Sequence, residues 1–255
     1  MINKNFYKTI PADLMELVGK GAAEASLDPL LYGYQILFDK FNIPKTGVMH
    51  LGGHIGQELS MYAALGLGNV VMVEPLPDEF FLMQSKINDF NQTFTSLSAF
   101  LGDEIPRKAH GVNCAISDQS GVVKIYRTDI TSLSSLAKPV KSGLSDSWDA
   151  LVYDELSVSC KTLDQLVEEL PNGWNAADFS YLRMNVQGFE LKALKGAEQF
   201  LESISLIDLE INTELRYEES PTQEDFDNFL IQRGFIPILG YSAGPSIANV
   251  LYIRK

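Results

Sequence analysis

Disulfide chemistry has little to work with in this 255-residue chain, because cysteine occurs only at Cys114 and Cys160. Both sit in apolar or β-like stretches, the ordinary setting of reduced core thiols. Histidine is nearly as scarce, at His50, His54 and His110. No His-Glu-x-x-His, Cys-x-x-Cys or calcium-loop pattern is present, so no metal site is expected. Positive charge is in short supply as well: 20 Lys and Arg against 33 Asp and Glu give a formal net charge of −13. A nucleic-acid partner is therefore disfavoured, since backbone binding needs clustered cations. No apolar run is long enough to span a bilayer. The opening residues lack the basic, apolar and small-residue succession of a secretory leader, and a cytoplasmic protein is expected.

What is there is the alternation of an α/β domain. Repeats, low-complexity tracts and a second-domain linker are all missing, so one domain over 1–255 is expected. A helical extension at 1–43 packs on a catalytic core at 44–255. The extension should hold one helix through Leu14, Leu17 and Val18 and a second carrying Leu30, Leu31, Tyr34, Leu37, Phe38 and Phe41 at helical spacing. Then GVMHL at 47–51 reads as a buried strand, GGHIG at 52–56 as a loop, 59–65 as a helix and NVVMV at 69–73 as a second strand ending in Glu74. Strands apolar on both faces belong to a parallel sheet with helices on each side. Further along, the pattern predicts a helix over 78–90, an insertion around 100–108 and a third strand at 111–117. A hairpin strand at 122–126 and a long loop or lid at 131–149 follow. Helices at 162–170, 190–201 and 223–233 alternate with strands at 180–186 and 204–211, and strands at 235–239 and 249–254 form a closing antiparallel pair.

The glycine loop is where a ligand would sit. Gly52, Gly53 and Gly56 permit a tight turn and close backbone approach, and a helix amino terminus offers N–H groups to a ligand. Glu74, some 22 positions beyond Gly52, is placed to accept the hydroxyl protons of a ribose. The Gly-x-Gly-x-x-Gly of dinucleotide sites is not matched, since Leu51 stands where its first glycine belongs. S-adenosylmethionine is the favoured cofactor, with a dinucleotide or a purely structural glycine turn as the alternatives.

An ordered set of segments carries a resemblance: HLGGHIGQE from His50, VEPLP from Val73, CAISDQSG from Cys114, the pair Ser134 and Ser135, KTLDQL from Lys161 and MNVQGFELKALKGAEQFL from Met184. Together they resemble the FkbM family of class I S-adenosylmethionine-dependent methyltransferases. The resemblance implies a Rossmann-like fold, a mostly parallel seven-stranded sheet with an antiparallel C-terminal pair. It also implies O-methylation of a hydroxyl on a sugar, glycan or small metabolite. By position, Gly52, Gly53 and Gly56 match the loop around the methionine moiety, Glu74 the ribose acid, and Cys114, Ala115 and Ile116 the adenine segment, with Ser117 or Asp118 as polar contacts. Gln187, Gly188 and Glu190 are retained. His50 and Asn185 each replace an acidic residue and remain hydrogen-bond acceptors toward the cofactor.

Four residues are candidate general bases. His54, whose ordinary pKa suits a general base, is ranked ahead of His50, Glu190 and Glu210. Helix capping or binding of the donor carboxylate are equally open roles for it. Asn185 and Gln187 follow the end of an internal strand, where ligands of open α/β sheets bind, although both could simply satisfy turn backbone. Glu190 could be first-turn dipole compensation. Glu210, an acid inside SLIDLEI, must face the crevice or be paired. A non-catalytic binding or assembly protein, and methyl transfer to nitrogen or carboxylate, are the competing classes; an oligomer is compatible with the sequence.

Overall fold

A computed structural model of the chain describes residues 29–102, 107–140, 152–244 and 247–255. Helix α1 (Pro29–Lys40) precedes β1 (Gly47–Leu51), which is buried at every position. β1 runs parallel to β2 (Asn69–Val73), with Met49 beside Val71. Between them α2 (Leu59–Leu65) stops at Gly66, whose φ of 81° is the left-handed value a glycine cap adopts without penalty. The remaining strands of this sheet are β3 (Lys108–Val112), β7 (Tyr181–Met184), β8 (Leu206–Asn212), β9 (Phe235–Gly244) and β10 (Ile247–Arg254). Their order across the sheet is β3-β2-β1-β7-β8-β10-β9, with β10 antiparallel to both its neighbours. This is the mostly parallel, seven-stranded Rossmann-like sheet of a class I methyltransferase fold.

Alternation along β1 splits the core. Met49 and Leu51 join the cluster under α4 (Leu163–Glu168), α5 (Glu190–Lys195) and α6 (Gln223–Ile231). Val48 joins Tyr34 and Phe38 of α1, Tyr62 of α2 and Met83 of α3 (Pro77–Leu101) on the other face. His50 lies on that second face too. It is 1% exposed, its Nδ1 is 3.0 Å from the Tyr62 hydroxyl, and burial pushes its pKa down to about 4. Arg183 is its register neighbour on β7 and Asp208 the next on β8. The Arg183–Asp208 ion pair spans 2.8 Å, and the hydroxyls of Tyr34 and Tyr181 also donate to the Asp208 carboxylate. A neutral imidazole beside that guanidinium avoids a second buried cation. Removing one member of such a pair costs on the order of 3–5 kcal/mol.

The second sheet is small. β4 (Ala115–Ile116) and β5 (Gly121–Thr128) flank β6 (Val152–Lys161), in the order β4-β6-β5. Its own core consists of Leu76, Ala115, Ile125, Val158 and Cys160.

Several boundaries differ from the sequence expectation. The third strand is 108–112 and not 111–117: the chain leaves the main sheet after Val112, and Ala115 and Ile116 pair with Cys160 and Lys161 instead. α3 continues eleven residues past Phe90, where Asn91 Nδ2 donates to the Ala109 carbonyl and Phe94 stacks on Phe90. The expected insertion is thus partly helix at 100–101 and partly strand at 108, and 103–106 lie outside the described residues. α5 ends at Lys195, well before Leu201. β9 continues through 240–244, where a loop is expected. Strand β6 went unassigned, although Leu156, Val158 and Cys160 alternate with two serines. The helix expected through Leu14, Leu17 and Val18, and residues 141–149 of the long loop, lie outside the described residues.

Candidate active site

A cavity opens at the carboxyl ends of β1, β2 and β7, the expected crevice of an open α/β sheet. One wall comes from the smaller sheet, with Ala115, Ile116 and Ile125 beside Leu76. The floor carries Gly52, His54 and Glu74, and the far wall carries Asn185, Val186, Gln187 and Phe189. Thr131, Ser134, Ser135 and Leu136 line it from above.

Glu74 is the focus of the floor. Its side chain is 5% exposed, and its two oxygens accept the backbone N–H of Leu76 at 2.9 Å and of His54 at 2.8 Å. Burial raises its pKa to about 7, against the pull of those two donors. A carboxylate offers about four acceptor positions, so two remain for hydroxyl protons arriving from the cavity.

The glycine loop is built differently from the sequence expectation. The N–H groups of Gly52 and Gly53 both donate to the Val73 carbonyl at 2.9 Å, and that of Gly56 donates to Gly53 at 2.8 Å. With the His54 N–H on Glu74, these donors are used within the protein rather than held out to a ligand. The glycines are required by packing. A Cβ on Gly52, at φ 82°, would stand 1.9 Å from the Asn185 carbonyl oxygen; one on Gly53 would meet the Met83 sulfur at 2.7 Å, and one on Gly56 the Met83 Cγ at 3.3 Å. Of the three, Gly52 lines the cavity.

His54 holds a φ of 46° and lines the cavity, with Nε2 2.9 Å from the Thr131 hydroxyl. On the opposite wall Asn185 Nδ2 donates to Glu210 at 3.1 Å, and Gln187 Nε2 to Glu210 at 3.0 Å and to Asn185 Oδ1. Burial raises the Glu210 pKa. The carboxylate thus stands behind the two amides and fixes their orientation. Gln187, at φ 55°, is anchored further by the Tyr217 hydroxyl donating to its Oε1 at 2.8 Å and Ser135 Oγ donating to its carbonyl at 2.6 Å. Glu190 is 1% exposed and accepts the N–H of Val186 and of Gly188 at 2.9 Å each, with its pKa pushed up to about 7 by burial. It braces the strand-to-helix turn from beneath.

The structure therefore brings together Gly52, His54, Glu74, Ala115, Ile116, Asn185 and Gln187 around one cavity, with Glu210 one contact away. It does not bring in His50, which faces the opposite side of the sheet, or Ser117, which is buried with Oγ on Asp118 at 3.0 Å. The strap at 131–136 belongs to the loop or lid expected at 131–149, whereas Tyr217 and Phe189 are not singled out by the sequence. No short-range pattern marks Tyr217, which reaches the site from beyond β8.

The fold is that of the class I methyltransferases, with a cavity at the carboxyl edge of its sheet. The Methyltransferase FkbM domain profile matches residues 50–237, about three quarters of the chain, and the chain belongs to that family. The matched region is an S-adenosylmethionine-dependent methyltransferase domain. Among solved structures, methyltransferase FkbM from Methylobacillus flagellatus is 16% identical, with a TM-score of 0.49 over 81% of this chain and 42% of that one. Magnesium protoporphyrin IX methyltransferase from Synechocystis, solved with bound SAM, is 11% identical, with a TM-score of 0.42 over 99% and 86%. A SAM-dependent methyltransferase from Aquifex aeolicus is 10% identical, with a TM-score of 0.37 over 86% and 88%. The chain thus spans under half the length of the Methylobacillus protein. No curated protein matches it. Among the described residues no helix is long and apolar enough to cross a membrane.

Proposed function

We propose that the chain methylates a hydroxyl oxygen of a sugar, glycan or small hydroxylated metabolite in the cytoplasm, as a single domain. The observation that carries this reading is the buried Glu74 carboxylate lining the same cavity as Asn185 and Gln187, whose amides Glu210 holds. Glu74 would hold the ribose hydroxyls of S-adenosylmethionine, Ala115 and Ile116 would pack on adenine, and Gly52, His54 and Asn185 would border the amino acid end. The cofactor supplies a methyl group already activated on a sulfonium.

What remains for the protein is alignment and a proton. Asn185 and Gln187, held by Glu210, would orient the acceptor hydroxyl toward the cofactor's methyl group. S-adenosylmethionine, when bound, would give up that methyl to the acceptor oxygen, keep the C–S electron pair and leave as S-adenosylhomocysteine. His54 takes the hydroxyl proton, while Thr131 on its other side fixes the ring.

His54→Asn tests this, because asparagine tolerates the positive φ at that position. At saturating donor, release of S-adenosylhomocysteine should fall about 100-fold, within the usual worth of a general base. Unchanged turnover in the variant, with any acceptor of a glycan and alcohol panel that the parent methylates, would remove His54 from the chemistry. Failure of every hydroxyl acceptor, with the donor bound, would favour a binding role.

A further inference from the structure

A second, open cavity adjoins the first, and Leu136 and Phe189 line both. Lys138 reaches it from the strap, Lys192 and Lys195 from α5. None of the three ammonium groups lies within 4 Å of a carboxylate oxygen among the described residues, although Glu218 and Glu219 line the same cavity. Lys192 is held at the shared wall, its Nζ 4.4 Å from the centroid of the Phe189 ring. In a chain of net charge −13, the three lysines lining this cavity outnumber its two glutamates, so its lining carries a local excess of positive charge. An anion approaching elsewhere would be repelled.

The two cavities share a wall formed by Leu136 and Phe189, and Asn185 and Gln187 line the first beside that wall.

We propose that this second cavity binds the body of the methyl acceptor, and that the acceptor is an anionic sugar, bearing a carboxylate or phosphate that Lys138 and Lys192 recognise. The proposal rests on the methyltransferase reading above for the word acceptor, but the cavity's preference for anions can be measured without turnover. Calorimetric titration of the full-length chain with glucose, glucuronate and glucose 6-phosphate, with and without saturating S-adenosylhomocysteine, separates the two. At low salt, one of the anionic sugars should bind at least tenfold more tightly than glucose. That advantage should shrink as salt rises and vanish in the Lys138→Ala/Lys192→Ala double variant, whose S-adenosylhomocysteine affinity stays at the parent value. Tighter binding of glucuronate identifies a uronic acid, and of glucose 6-phosphate a phosphorylated sugar. Equal binding of all three sugars, or an anion preference that survives loss of both lysines, overturns the proposal. Failure of S-adenosylhomocysteine itself to bind would instead strike the cofactor assignment and leave the sugar measurements to be judged alone.

Discussion

Replacing Glu74 by glutamine keeps the shape of the side chain and removes both its charge and half of its acceptor capacity. The parent carboxylate already satisfies the N–H groups of His54 and Leu76, so an amide must either abandon one of them or turn an NH₂ toward it. Hydrogen bonds to a charged group are worth about 1.5–3 kcal/mol each. Loss of even one from a ribose therefore weakens donor binding by at least roughly tenfold. The pH dependence adds a second signature. With its pKa near 7 in the folded protein against an ordinary 4.5, Glu74 keeps its proton until neutrality. Below that pH a nucleoside must first displace the proton, and affinity should fall by up to about tenfold per unit. Folding carries the opposite sign. Between pH 4.5 and 7 the native state holds a proton that the unfolded chain has released, so this group's contribution to stability is greatest below 4.5. It declines by about 3 kcal/mol as pH rises through 7. Adenosine, which lacks the titrating amino acid moiety, is the suitable probe for calorimetry from pH 5.5 to 8. Equal affinity in parent and Glu74→Gln, or a parent affinity flat across that range, would refute the assignment.

Two further outcomes follow from the walls of the cavity. Glu190→Ala strands the buried N–H groups of Val186 and Gly188 and should lower stability by about 2–4 kcal/mol, read as a reduced midpoint of chemical denaturation. Gly52→Ala sets a methyl group 1.9 Å from the Asn185 carbonyl at a φ of 82°; soluble, cooperatively unfolding protein should be lost, and a variant of parent-like thermal midpoint would contradict the packing described.

The parallel sheet was legible because β1, β2 and β7 are short apolar runs bounded by glycine, proline or polar residues, a signal that needs no tertiary information. Glu74 was legible for the same reason, standing at a strand end. The use of the glycines was not, because the atoms they avoid belong to Asn185, Met83 and, for Gly196, the Ser117 carbonyl, all distant in sequence. His50 illustrates the same limit: its row with Arg183 and Asp208 comes from register, and only register reveals which face a strand residue takes. Of the smaller sheet only the strand at 122–126 was legible, because β4 is two residues long and pairs with a strand more than forty positions away.

The cavity's walls come from two layers of unequal self-sufficiency. One is the deep seven-stranded sheet, and the other stands on five buried side chains. An adenine ring between Ala115, Ile116 and Leu76 would complete that thin layer's interior as a sixth buried group. The cofactor would thus serve as structural filler as well as reagent, and its departure would leave the smaller sheet as the part of the molecule with least to hold it in place.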